Sequence, residues 1–163
     1  VLLPSGKVAF VPAWAAQVGI FDSATDTFSL VGPTITACDY QGGVLLPSGK
    51  VAFVPACASQ VGIFDSTTDN VTAVGATIAG DYKYVGGVLL PSGKVAFVPA
   101  RATQVGIFDP ATDTFSLVGA THLARRLHVS GGRAFAERQG RVRPRQRGRR
   151  ESVRSRDGDV HGL

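Results

Sequence analysis

The chain has 163 residues, enough for one domain, with 44% hydrophobic residues and a net charge of +5. No apolar run approaches the ~18 residues a membrane-spanning helix needs, so a spanning helix is excluded. The charge is uneven: residues 1–121 carry five Lys or Arg against eight Asp (net −3), while residues 122–163 carry twelve Arg against four acids (net +8).

Three near-copies of one segment fill the first part: VLLPSGKVAFVPAWAAQVGIFDSATDTFSLVG, VLLPSGKVAFVPACASQVGIFDSTTDNVTAVG and VLLPSGKVAFVPARATQVGIFDPATDTFSLVG. They begin at Val1, Val44 and Val88, a spacing of 43 and then 44 residues. A period in this range marks propellers and other repeat arrays. The third copy shows what one repeat builds. Residues 84–91 (YVGGVLLP) are apolar and β-prone, and Pro91-Ser92-Gly93-Lys94 is a turn signal. Residues 94–99 (KVAFVP) read as a second strand, apolar enough to be buried on both faces. After a short loop, residues 104–109 (QVGIFD) form a third strand, in which Gly106, like Gly62 before it, predicts a bulge or a close approach by a neighbouring blade. Asp109-Pro110-Ala111-Thr112-Asp113 is a tight turn, and residues 114–118 (TFSLV) are the fourth strand.

Four short strands joined by tight turns, repeated every 43 to 44 residues, predict an all-β fold. We expect a partial β-propeller-like array of four-stranded antiparallel blades at residues 1–43, 44–87 and 88–121. Three blades do not close a ring that normally has about four to eight, so open faces and self-association are expected. The absence of Met and the strand-like VLLP at position 1 suggest a fragment with further blades.

The turn and strand motifs resemble the kelch-type repeat. The matching positions are Phe21-Asp22, Phe64-Asp65 and Phe108-Asp109-Pro110, followed by Thr25, Thr68 and Thr112. Phe28, Val71 and Phe115 stand where that family usually has Trp. The paired glycines, Gly42-Gly43 and Gly86-Gly87, come earlier in the repeat than the family places its pair. The resemblance covers residues 1–121 and implies a propeller blade.

Residues 122–163 break the pattern. Each pair of adjacent residues restricts the codon read one base downstream. From Arg133 to Arg145 the shifted frame permits VLLPSGKVAFVP at every step, beginning 45 residues after Val88. Val153 to His161 permits a sequence close to the FDPATDTF of the third repeat. The slip falls between Thr121 and His122. We therefore read 122–163 as a frameshifted fourth repeat, disordered as translated. Nucleic-acid or polyanion binding follows only if this basic segment is genuine.

The repeats hold no histidine, which excludes a Ser-His-Asp triad there, and no His/Cys cluster has metal-ligand spacing. No cofactor or metal is expected. Cys38 and Cys57 occupy non-equivalent repeat positions and read as two free thiols. The recurring pairs Asp22/Asp26, Asp65/Asp69 and Asp109/Asp113 read as turn caps, and Lys7, Lys50 and Lys94 as solvated hairpin ends. The copies differ at Trp14, Cys57 and Arg101, equivalent positions on the loop between the second and third strands. A constant scaffold with variable loop tips is a common way to build a binding surface. Asp39-Tyr40 and Asp81-Tyr82 recur before the paired glycines and join these as candidates, near the propeller axis by analogy of fold. The expected function is a non-catalytic module binding a protein or glycan through its loops. The alternative is a fragment of a kelch-like oxidase, whose metal ligands would come from other blades.

Overall fold

The computed structural model describes residues 1–119. The expected disorder and fourth repeat of the Arg-rich segment lie outside the described residues.

Among the described residues, eleven strands form three separate antiparallel sheets. The first contains β1 (Val8–Phe10), β2 (Val18–Asp22) and β3 (Thr27–Val31). The second contains β4 (Tyr40–Leu45), β5 (Val51–Pro55), β6 (Val61–Asp65) and β7 (Asn70–Val74). The third contains β8 (Tyr84–Leu89), β9 (Val95–Pro99), β10 (Val105–Asp109) and β11 (Thr114–Val118). Strands pair in chain order within each sheet, so each is a simple meander. The first blade has three strands, and an isolated Leu2–Val8 bridge stands in place of its fourth.

The turns follow from local chemistry. Gly49 takes φ of 82°, a left-handed conformation that closes the Pro-Ser-Gly-Lys turn, and its N–H donates to the Leu46 carbonyl at 2.9 Å. At the next turn the Asp65 carboxylate accepts from the Thr67 N–H at 2.9 Å, while Asp69 sits at φ of 53°. Asp tolerates this region better than most residues, so the first Asp caps the turn and the second closes it. Lys7, Lys50 and Lys94 do more than face solvent. They pair with Asp22, Asp65 and Asp109 at 3.2, 3.1 and 3.1 Å, at the same end of each blade.

Two apolar cores fill the clefts between successive blades. One joins Leu3, Val18 and Ile20 of the first blade to Tyr40, Phe53 and Phe64 of the second. The other joins Val44, Val54 and Val61 of the second to Tyr84, Phe97 and Phe108 of the third. Strand β5 is buried along its whole length because both cores close on it, as its continuous apolar sequence predicts. In β9 the same VAFVP sequence leaves Val98 exposed, because no described blade covers that side.

The paired glycines set how closely blades approach. Register shifts between Tyr40 and Gly43, and again between Tyr84 and Gly87, so each first strand carries a bulge there. A Cβ on Gly42, itself at φ of 93°, would lie only 3.2 Å from the Gly86 Cα of the next blade. The bulge expected at Gly62 and Gly106 is therefore in the first strand instead. The close approach at those glycines comes from an aromatic ring of the same blade: a Cβ on Gly62 would lie 2.8 Å from Tyr40 Cζ.

The cysteines are not free. Cys38 and Cys57 form a disulfide, with Cα atoms 5.5 Å apart. Their non-equivalence in the repeat is no obstacle, because the bridge ties a connector between blades to the loop of the blade it enters. The Cys57 N–H also donates to the Cys38 carbonyl at 3.0 Å. Among the described residues no helix is long and apolar enough to cross a membrane.

Candidate binding surface

One end of the array holds the Lys–Asp turns. The other holds the loops between second and third strands (residues 11–17, 56–60 and 100–104) and the connectors between blades (residues 32–39 and 75–83). Backbone hydrogen bonds interleave these segments. Ala13 accepts from the Cys38 N–H at 2.7 Å, and Asp39 accepts from Ala56 and Ala58 at 2.9 and 3.0 Å. Ala56 in turn accepts from Lys83 at 3.0 Å, and Tyr82 accepts from Arg101 at 3.0 Å. Each connector is thereby held between the loop behind it and the loop ahead. A glutamine fixes the start of each exit: the side-chain amides of Gln17, Gln60 and Gln104 donate to the carbonyls of Gly32, Gly75 and Gly119 at 2.9, 2.7 and 2.9 Å. Their recurrence in every copy was the available signal for this clamp.

All the candidate residues lie at this end, in different roles. Trp14 is 71% exposed. Cys57, at the equivalent position, is consumed by its disulfide. Arg101, the third equivalent, lies 4.7 Å above the ring of Tyr82. Cys38 and Tyr82 both take positive φ, 75° and 51°. A disulfide and a cation–π contact thus occupy the same niche in successive blades. Tyr40 is buried against Phe53, and burial raises its pKa with a further contribution from Asp39. Its structural counterpart is Tyr84, since Tyr40 pairs with Pro55 and Tyr84 with Pro99. Asp81-Tyr82 sits one step earlier, displaced by the extra residue of the second connector.

That displacement puts Lys83 where the first connector has Asp39. Lys83 is the one buried charged residue among those described. Its Nζ donates to the Ala58 and Gly80 carbonyls at 2.8 and 2.7 Å. Burial lowers its pKa, while Asp81 and Asp39 oppose the shift. The sequence marked it only as a lysine outside the recurring set.

Clefts open at both ends of the array. One of about 460 Å³ lies between the second connector and the third blade's loop, bordered by Asp81, Lys83, Arg101 and Gln104 over Tyr84 and Phe115. A larger one of about 670 Å³ lies at the turn end between the first two blades. The lysines lining it, Lys7 and Lys50, are already paired with aspartates, so the smaller cleft offers the more varied chemistry. Among the described residues no three His, Cys, Asp or Glu side chains are grouped to hold a metal.

Three meander sheets stacked face to face, with first strands in near contact, define a β-propeller-like protein. No protein-family model and no curated protein sequence matches the chain. Solved structures do. Virginiamycin B lyase from Staphylococcus aureus, a catalytically inactive form with quinupristin, matches with TM-score 0.63 and 12% identity, over 76% of this chain and 41% of that one. An auxiliary nutrient binding protein from Bacteroides ovatus matches with TM-score 0.60 and 12% identity, over 75% and 31%. A fungal alcohol oxidase in complex with copper matches with TM-score 0.50 and 12% identity, over 71% and 28%. The chain spans 28–41% of the length of these proteins, and the likeness is one of fold.

Proposed function

We propose that the chain is a non-catalytic, kelch-type propeller module that binds a protein or glycan through its loop end. Its sequence repeats are residues 1–43, 44–87 and 88–121, each blade taking its first strand from the end of the repeat before, and residues 122–163 are a frameshifted fourth repeat. The supporting observation is that identical VLLPSGKVAFVPA and QVGIFD segments flank, in every copy, an equivalent loop position bearing Trp14, Cys57 or Arg101. Trp14 offers an exposed ring, and the Arg101–Tyr82 pair flanks a cleft with Asp81 at its rim. Exposed aromatic and arginine side chains are the residue types that dominate binding interfaces. The capped Asp65 turn supports the kelch resemblance. An oxidase would need metal ligands from outside residues 1–119.

Trp14 is the chain's single tryptophan, so its fluorescence reports binding near it directly. Glycan and peptide arrays identify a ligand, which is then titrated against Trp14 emission. Trp14→Ala and Arg101→Ala should each weaken array binding at least about tenfold. Lys94→Ala, at the opposite end, should leave it unchanged. Binding that survives both loop substitutions would refute the assignment.

A further inference from the structure

The second repeat departs from its copies along one stretch of outer strand. Where the first and third read Thr27-Phe28-Ser29 and Thr114-Phe115-Ser116, it reads Asn70-Val71-Thr72. The ladder registers make these stretches equivalent, because Thr27, Asn70 and Thr114 each pair with the aspartate that opens the turn, Asp22, Asp65 or Asp109. In the first and third blades the threonine hydroxyl lies 2.8 or 2.9 Å from that of Thr25 or Thr112, which braces the turn. Asn70 makes a different contact: its Oδ1 accepts from the Val71 N–H at 2.9 Å. The residue is exposed, although a described blade lies on either side of its own. Alternation along β7 places Thr72 on the same face, also exposed, while Val71 packs against the core shared with the first blade.

Asn-X-Thr, with X other than proline, is the acceptor pattern for an N-linked glycan, a bulky polar group that needs surface. Asn70 is the only asparagine of the 163 residues, so the pattern occurs once. An independent observation points to the same chemistry. The Cys38–Cys57 disulfide belongs to an oxidising compartment, and the lumen of the secretory route, where asparagine is glycosylated, is one.

We infer that Asn70 carries an N-linked glycan and that the chain passes through an oxidising secretory lumen. The donor is an oligosaccharide carried on a lipid diphosphate, and the transferase acts in trans on this chain as acceptor. The Asn70 Nδ2 forms a bond to the anomeric carbon of the first sugar. The bond from that carbon to the diphosphate oxygen breaks, the lipid diphosphate leaves, and the amide gives up one proton; nothing is oxidised or reduced. The glycan stands at the turn end, beside the Lys50–Asp65 pair, and leaves the opposite loop end open. It also shields β7, the edge strand of its sheet, whose unpaired backbone groups would otherwise invite pairing with another chain.

The test is translation of the full 163-residue chain, preceded by a cleavable signal peptide, in the presence of microsomes. The protease-protected chain should migrate as a heavier band that peptide N-glycosidase shifts to lower mass, leaving Asp in place of Asn70. Asn70→Gln and Thr72→Ala should each abolish the shift, and Thr72→Ser should retain it. Asn70→Thr restores the residue of the other two blades, so it keeps the fold and should also abolish the shift. A protected wild-type chain without sugar would overturn the inference. So would a shift that survives Asn70→Thr or Thr72→Ala, or one that is lost in Thr72→Ser as completely as in Thr72→Ala.

Discussion

The substitution Phe→Ala can be made at three positions that share the local sequence VAFVP and differ only in what surrounds them. Phe53 is fully buried, with Tyr40 and Phe64 ring centroids at 5.5 and 5.9 Å. Phe97 is similarly enclosed by Tyr84, Phe108 and Phe115 at 5.7, 6.5 and 6.2 Å. Truncating an enclosed phenylalanine loses its transfer free energy and leaves a cavity, about 3–5 kcal/mol. Phe10 touches Phe28 but is half exposed, so its removal leaves no enclosed void and forfeits only part of the roughly 1.5–3 kcal/mol of a full burial, about 1 kcal/mol. Against a typical total stability of about 5–15 kcal/mol the contrast is large. Urea unfolding followed by circular dichroism would measure it. Costs for Phe10 and Phe53 that agree within about 1 kcal/mol would refute the stacking order of the blades.

Replacing both Cys38 and Cys57 by Ser should lower stability by about 3 kcal/mol, because the 19-residue separation sets the chain entropy the bridge removes. Thermal melts with and without reductant check this: the wild type should move to the variant's midpoint and the variant should not respond. Gly62→Ala should cost about 1–3 kcal/mol, since its new Cβ would press on buried Tyr40, whereas Gly19→Ala should cost less because exposed Phe28 can swing away. Denaturant midpoints of the two variants make the comparison. The Asp65 carboxylate is held down to about 2 by the Thr67 hydroxyl and amide and by Lys50. A depressed folded pKa contributes stability above the unfolded value and loses it as pH falls through the folded one, here from 3.8 to about 2. A carboxyl-carbon NMR titration should place the Asp65 midpoint near the lower value, and Asp65→Asn should flatten the stability profile across that window.

The strands were legible because each is short, apolar and bounded by turn residues whose chemistry is local. Residues 114–118 were bounded correctly for that reason, and the Asp turns needed no information beyond their own five residues. What the sequence hid depended on crossings between repeats. The Cys38–Cys57 bridge arises because a connector passes over the next loop, which repeat equivalence does not reveal. The first-strand bulge depends on ladder register, which has no one-dimensional signature. Lys83 was obscured by one inserted residue, which made Asp81-Tyr82 look like the counterpart of Asp39-Tyr40. Variation among copies singled out Trp14 and Arg101 as candidates, yet the pairing of Arg101 with Tyr82 needed the fold.

The burial of β5 from both sides has a consequence for motion. Among the described residues the first and third blades each share one core with a neighbour, whereas the second shares two, so opening the second breaks both. In such arrays each unit's protection grows with the number of its neighbours. Backbone amides of β5 and β6 should therefore exchange with deuterium last. The loop beside Cys57 is anchored to this slowest segment. Trp14 and Arg101 stand on blades with one described neighbour each, so the three equivalent loop positions rest on bases of unequal firmness, Cys57 on the firmest.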